Sequence, residues 1–140
     1  MQTDVLTLNL ERELCVLMNK KKVIRFGKKT LFGLVSKNNY KYRELYHSIK
    51  EFANKYIMCK YNAVNVLYQN IDTINDEHVF FGNNYFTAIS LGEYKGGFIK
   101  IDDLTYDCKY EPHLFNLKQK RLILNKITEG FRFFLIFYTV

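Results

Sequence analysis

Few residues in this chain are typed and spaced for chemistry. Residues 20–29, KKKVIRFGKK, crowd Lys20, Lys21, Lys22, Arg25, Lys28 and Lys29 around Val23, Ile24 and Phe26. Cations at that density neutralise phosphates and release their counterions, and the nearby faces of Phe26, Phe32 and Tyr40 suit stacking on unpaired bases. A solvated hairpin rim accounts for the same residues, because charged runs are usually faces turned to water. A second basic stretch, Lys118, Lys120, Arg121 and Lys126, lies near the other end. On one shared face the two would bind a nucleic acid or an acidic protein surface. Arg132 is a cation of another kind. In 131–138 it alternates into the set with Phe134, Ile136 and Tyr138, opposite Phe131, Phe133, Leu135 and Phe137. A guanidinium among large apolar groups needs a partner.

Other arrangements point away from familiar chemistry. Cys15, Cys59 and Cys108 are odd in number, widely spaced and without a second Cys or close His, which fits neither a disulfide scaffold nor a zinc finger. They read as packed thiols in a reducing compartment. The GEYKGG run, 92–97, lacks the Lys-Ser/Thr pair of a phosphate loop and leads into a strand, so it reads as a hairpin turn. No Ser-His-Asp or paired-carboxylate arrangement stands out.

The elements that position these residues follow from periodicity. Over 41–57, Leu45, Ile49, Phe52, Ala53 and Tyr56 recur at spacings of three and four, which predicts an amphipathic helix with His47 on its polar side. The basic run predicts a strand with charged turns, paired with a second strand over 30–35. From 62 onward the period changes to two. Val64, Val66 and Tyr68 alternate with Asn65, Leu67 and Gln69, and YFTAISLG, GGFIKI and RFFLIFYTV read as strands separated by Gly and Asp turns.

The chain has 140 residues, 48% hydrophobic and 25% charged, with 21 Lys+Arg against 14 Asp+Glu and a formal charge of +7. That is enough apolar matter for a core, and no linker, repeat or low-complexity tract divides it, so one domain over 1–140 is expected. No run of 18 apolar residues occurs and the N-terminus carries acids where a signal peptide would be basic. The expectation is a soluble, intracellular protein, cytoplasmic or nuclear, with no membrane segment. Heavy use of Lys, Asn, Ile, Tyr and Phe, with no Trp and a single Pro, is a bias that AT-rich codons of a virus, phage or microbe would produce.

Two separated motifs carry a family resemblance. Asn70, His78, Asn83 and the turn Gly92-Glu93-Tyr94-Lys95-Gly96-Gly97 are followed by Phe115-Asn116 and then by Thr128, Gly130 and Arg132. This order resembles the Fe(II)/2-oxoglutarate-dependent dioxygenases of the TET/JBP-like and related viral and phage type, over roughly half the chain from Asn62. The resemblance implies a mainly β (α+β) double-stranded β-helix, or jelly roll, with residues 62–140 as its core. Residues 1–61 would add strands and one helix packed on the larger sheet.

The family's chemistry uses two His and one carboxylate on ferrous iron. By that correspondence His78 is the remaining ligand, while Phe80 and Leu122, or Arg121 with a slip, stand at the other two positions. None of those three is a usable ligand. Glu77, Asp107 and His113 are the neighbours from which a site would have to be rescued. Arg132, assisted by Thr128, matches the arginine that grips the distal carboxylate of 2-oxoglutarate. The expectation is a pseudoenzyme without a cofactor, binding a nucleic acid or an acidic protein. The alternatives are a working hydroxylase of nucleobases or protein side chains, holding Fe(II) and 2-oxoglutarate, and a structural or assembly module on a jelly-roll scaffold.

Overall fold

The computed structural model describes residues 4–17, 23–27, 38–73, 75, 77–80, 85–116 and 121–139. Three helices come from the N-terminal half: α1 (Val5–Val16), the short α2 (Asn38–Lys41) and α3 (Arg43–Tyr56). The strands are β1 (Val23–Gly27), β2 (Ala63–Asn70), β3 (Glu77–Phe80), β4 (Tyr85–Leu91), β5 (Tyr94–Gly96), β6 (Ile99–Ile101), β7 (Leu104–Tyr106), β8 (His113–Asn116), β9 (Arg121–Leu124) and β10 (Ile127–Tyr138).

β10 organises the molecule. Its length and its run of alternating aromatic and aliphatic residues let it pair antiparallel with β2 on one side and β4 on the other. The larger sheet runs β1-β2-β10-β4-β8, with β5 paired to the start of β10, and the smaller runs β3-β9-β6-β7. Leu67, Phe86, Phe115, Phe134 and Ile136 from the larger sheet form one buried cluster with Ile99, Ile101, Leu122 and Leu124 from the smaller. The fold is therefore mainly β, two antiparallel sheets face to face in a jelly-roll-like arrangement with helices added.

The outer face of the larger sheet is the helix-binding face. Val64, Val66, Ile89, Phe133, Leu135 and Phe137 pack there with Leu10 and Leu14 of α1 and Leu45, Ile49 and Phe52 of α3. The two phases expected for 131–138 thus separate into two cores, one against helices and one against the second sheet. Phe52 lies on Phe137 with ring centroids 6.4 Å apart. Burying a side chain of that size contributes about 1.5–3 kcal/mol.

The N-terminal segment differs from expectation: its described residues form three helices rather than one. α1 is obscure in sequence because Val5, Leu8 and Val16 are exposed while Leu10 and Leu14 are buried, so apolar residues ring the helix and blur its period. Its start is nonetheless written in Asp4, whose Oδ1 accepts the Thr7 N–H at 3.0 Å as an N-cap. The helix expected from Lys41 begins at Arg43, because Tyr42 leaves helical geometry at φ −121° and ψ 56° and separates α2 from α3. The strand expected over 30–35 lies outside the described residues. So do Lys20, Lys21, Lys22, Lys28, Lys29, Lys118, Lys120 and Asn83.

Candidate functional site

Arg132 is the centre of the most elaborate polar cluster in the described structure. It sits on β10 in phase with Phe134 and Ile136, directly opposite Gln69 of β2, and is wholly buried, as is Gln69. Its Nε–H donates to Gln69 Oε1 at 3.0 Å, and one Nη2 N–H donates to the same oxygen. Two further donors reach backbone carbonyls: Nη1 to Gly97 and Nη2 to Asn125. The guanidinium carbon lies 5.0 Å from the centroid of the Tyr94 ring.

Five chain segments meet at this cation: β2 through Gln69, β5 through Tyr94, the β5–β6 connection through Gly97, the β9–β10 turn through Asn125, and β10 itself. Gly97 has to be glycine for this. Its φ is +71°, and a Cβ there would lie 2.6 Å from Arg132 Nη1. Two buried polar atoms, Gln69 Nε2 and Ser90 Oγ, have no hydrogen-bond partner among the described residues.

Burial depresses the Arg132 pKa, and the Tyr94 ring and hydroxyl are the chief groups opposing that shift. Tyr94 is itself pushed above the ordinary phenol value by burial. Cys108, also buried, is pushed up to about 12 by burial and then by the carboxylates of Asp107 and Glu111, so it is a protonated, packed thiol. Among the described residues, no carboxylate stands within ion-pair distance of Arg132. Its partners are an amide oxygen and two backbone carbonyls.

The two motifs behind the resemblance are brought together. β5, from the Gly92–Gly97 turn, pairs with the first residues of β10, Gly96 opposite Ile127 and Tyr94 opposite Gly130. Thr128 is on this ladder, but it is exposed and its hydroxyl donates to the Lys95 carbonyl at 3.2 Å, so its hydroxyl is committed to the hairpin. Asn70 also has a local task, accepting the Asp72 N–H at 2.9 Å in the turn after β2.

The three positions assigned to the iron cage lie on neighbouring strands yet out of phase. β3 pairs with β9 so that Val79 is opposite Leu122, His78 opposite Ile123, and Phe80 opposite Arg121. Leu122 is wholly buried in the core between the sheets. His78 and Phe80 occupy the alternate register of the ladder from Leu122, so the backbone does not gather the three into one shell. The rescue residues have other surroundings. His113 stacks on Phe115 and meets Tyr106 edge-on, each at 6.1 Å, while Asp107 is exposed and accepts the Lys109 N–H at 3.1 Å. Glu77 pairs with Leu124. Arg25, from the basic run, stands opposite Asn65 on β1, the edge strand of the larger sheet.

Gln69 and Asn125 are the site residues that sequence reasoning missed, while Tyr94 and Gly97 entered it only as members of the turn and not as partners of Arg132. One signal was available for Gln69: it alternates in phase with Leu67, and a glutamine on a core phase requires a polar partner just as Arg132 does. Asn125 and Gly97 contribute backbone carbonyls, for which sequence carries no signal.

No helix among the described residues is long and apolar enough to cross a membrane. No family model and no curated protein matches the chain. Among solved structures it is similar to the plu4264 protein from Photorhabdus luminescens, at 19% identity over 54% of this chain and 61% of that one. The TM-score of 0.39 is too low for that likeness to carry an argument about fold or function.

Proposed function

We propose that this chain is a catalytically degenerate relative of the Fe(II)/2-oxoglutarate dioxygenases, one that acts by binding a nucleic acid or protein partner. The observation that carries the reading is the occupation of Arg132. Gln69 Oε1 takes the Nε and Nη2 donors, the fork that a guanidinium offers to a carboxylate, and the Gly97 and Asn125 carbonyls take two more N–H groups. An arginine so engaged has no fork left for 2-oxoglutarate.

The donor set at the three ligand positions does not fit ferrous iron either. Phe80 and Leu122 have no lone pairs to give, and stable mononuclear sites need about three or four protein ligands. Adjacency of the Gly92–Gly97 turn to the start of β10 supports descent from the family's strand arrangement. The three cysteines, all free, suit a reducing intracellular compartment, and the AT-rich residue usage suits a viral or phage gene.

The test uses purified protein with ferrous iron and 2-oxoglutarate. The expected result is no succinate, and no rise in melting temperature with 2-oxoglutarate at millimolar concentration. Stoichiometric iron with turnover would overturn the reading. Thermal protection by 2-oxoglutarate alone would show that the Arg132 fork is open.

A further inference from the structure

We infer that the surface formed by α2 and the first half of α3 is a binding site for single-stranded nucleic acid. This deepens the binding half of the reading above and does not depend on the loss of catalysis. Arg43, Tyr46 and Lys50 follow one another at spacings of three and four along α3, and Tyr40 of α2 lines the same hollow as Arg43 and Tyr46.

Tyr40 is 71% exposed, an uncommon setting for a tyrosine with no core to fill. Tyr40, Arg43, Tyr46 and Asn39 line a hollow of about 560 Å³. Both phenols line this one space. Lys50 Nζ lies 5.4 Å from the Tyr46 ring centroid, and Lys41 Nζ 5.4 Å from that of Tyr42.

Charge and ring geometry choose the occupant. Among the described residues this hollow is lined by a guanidinium and by no acid, whereas the neighbouring hollow across Tyr40 and Arg43 includes Glu13 and Glu44. An anion is therefore directed to the first. An acidic peptide would need the cations but not the rings. Unpaired bases need both, since each stacks on an aromatic face while its phosphate meets a cation. α2 also lies beside β1.

The experiment is fluorescence anisotropy of labelled 12-residue oligo-rU and oligo-dT with the full chain. Binding is expected at about 50 mM salt, weakening steeply by about 200 mM. Tyr40→Ala should weaken it about tenfold or more, and Arg43→Lys severalfold because charge without a planar fork stacks poorly. Lys100→Ala, which removes an exposed cation on β6, should change affinity less than about twofold, as a control for loss of surface charge elsewhere. An unchanged thermal unfolding curve for Tyr40→Ala shows that the loss is local. No oligonucleotide binding at low salt, or full binding by Tyr40→Ala, overturns the inference. So does a poly-glutamate peptide that binds as tightly as oligo-rU and loses as much on Tyr40→Ala. Those results leave a degenerate protein-binding dioxygenase relative intact, whereas 2-oxoglutarate turnover sinks that reading and leaves this surface standing.

Discussion

Arg132 shows how a residue that looks like a ligand anchor becomes a structural hub. A buried cation without a carboxylate is tolerated when its donors are largely satisfied, and here one amide oxygen and two carbonyls accept four of its N–H groups. Arg132→Ala would leave those acceptors buried and unpaired, so it should destabilise the protein by about 3–5 kcal/mol in urea unfolding. Gln69→Ala removes the oxygen beneath two donors and should cost about 1–3 kcal/mol. Gln69→Glu supplies the missing counter-charge. The Arg132 guanidinium would then hold the new carboxyl below its usual pKa, so the variant should gain stability at neutral pH and lose that gain on acidification through the carboxylate range. A melting temperature for Gln69→Glu that is low and independent of pH would contradict this account of the site. Cys108, with its thiol pushed up to about 12, should resist alkylation in the folded protein at pH 8 and react only after denaturation, as peptide mass spectrometry would show.

At the scale of elements, two polar clasps hold α1 to the rest. Asp4 caps the helix and reaches across to α3, where Lys55 Nζ donates to it at 2.8 Å and the Tyr56 hydroxyl also donates to it. Lys55, Tyr56 and the Thr7 N–H together hold the Asp4 carboxyl far below the usual carboxylate range. A folded-state pKa depressed below the unfolded value contributes stability in full above the unfolded pKa and loses it as pH falls through the folded one. Asp4→Asn keeps a cap but loses the charge, so its melting temperature should lie below wild type at neutral pH. The gap should narrow only in acid below about pH 4. The second clasp is Tyr110, whose hydroxyl donates to Glu11 of α1 and accepts the Gly92 N–H at 3.2 Å. It ties α1 to the turn that leads into β5. Tyr110→Phe should cost about 1 kcal/mol and raise amide exchange at Gly92.

For the molecule as a whole, β10 divides the work between its two faces. One face builds the interior between the sheets and ends in the Arg132 cluster, and the other carries the helices. The surface proposed to bind nucleic acid and the buried Arg132 cluster are thereby separable. Substitutions at Tyr40 or Arg43 should leave unfolding unchanged, whereas Phe52→Ala should cost about 3–5 kcal/mol by opening a cavity against Phe137.

Local periodicity was enough to read much of this in advance. The alternation in β10 and β2, the apolar stripe of α3 and the breakers around Gly92–Gly97 are properties of neighbouring residues, and a period of two or of three and four survives in the sequence whatever the fold. It also required that Arg132 find a partner. Which partner it finds depends on the register of β2 against β10 and on where two turns bring their carbonyls, and those are contacts across 63, 35 and 7 residues. The helix α1 was hidden because its apolar residues face both the core and the solvent. The phase that parts His78 from Leu122 belongs to the β3–β9 ladder, and the meeting of α2 with β1 to the packing of distant segments. Pairing of remote segments is decided by tertiary structure, because hydrogen-bond register and close packing are satisfied jointly over the whole chain.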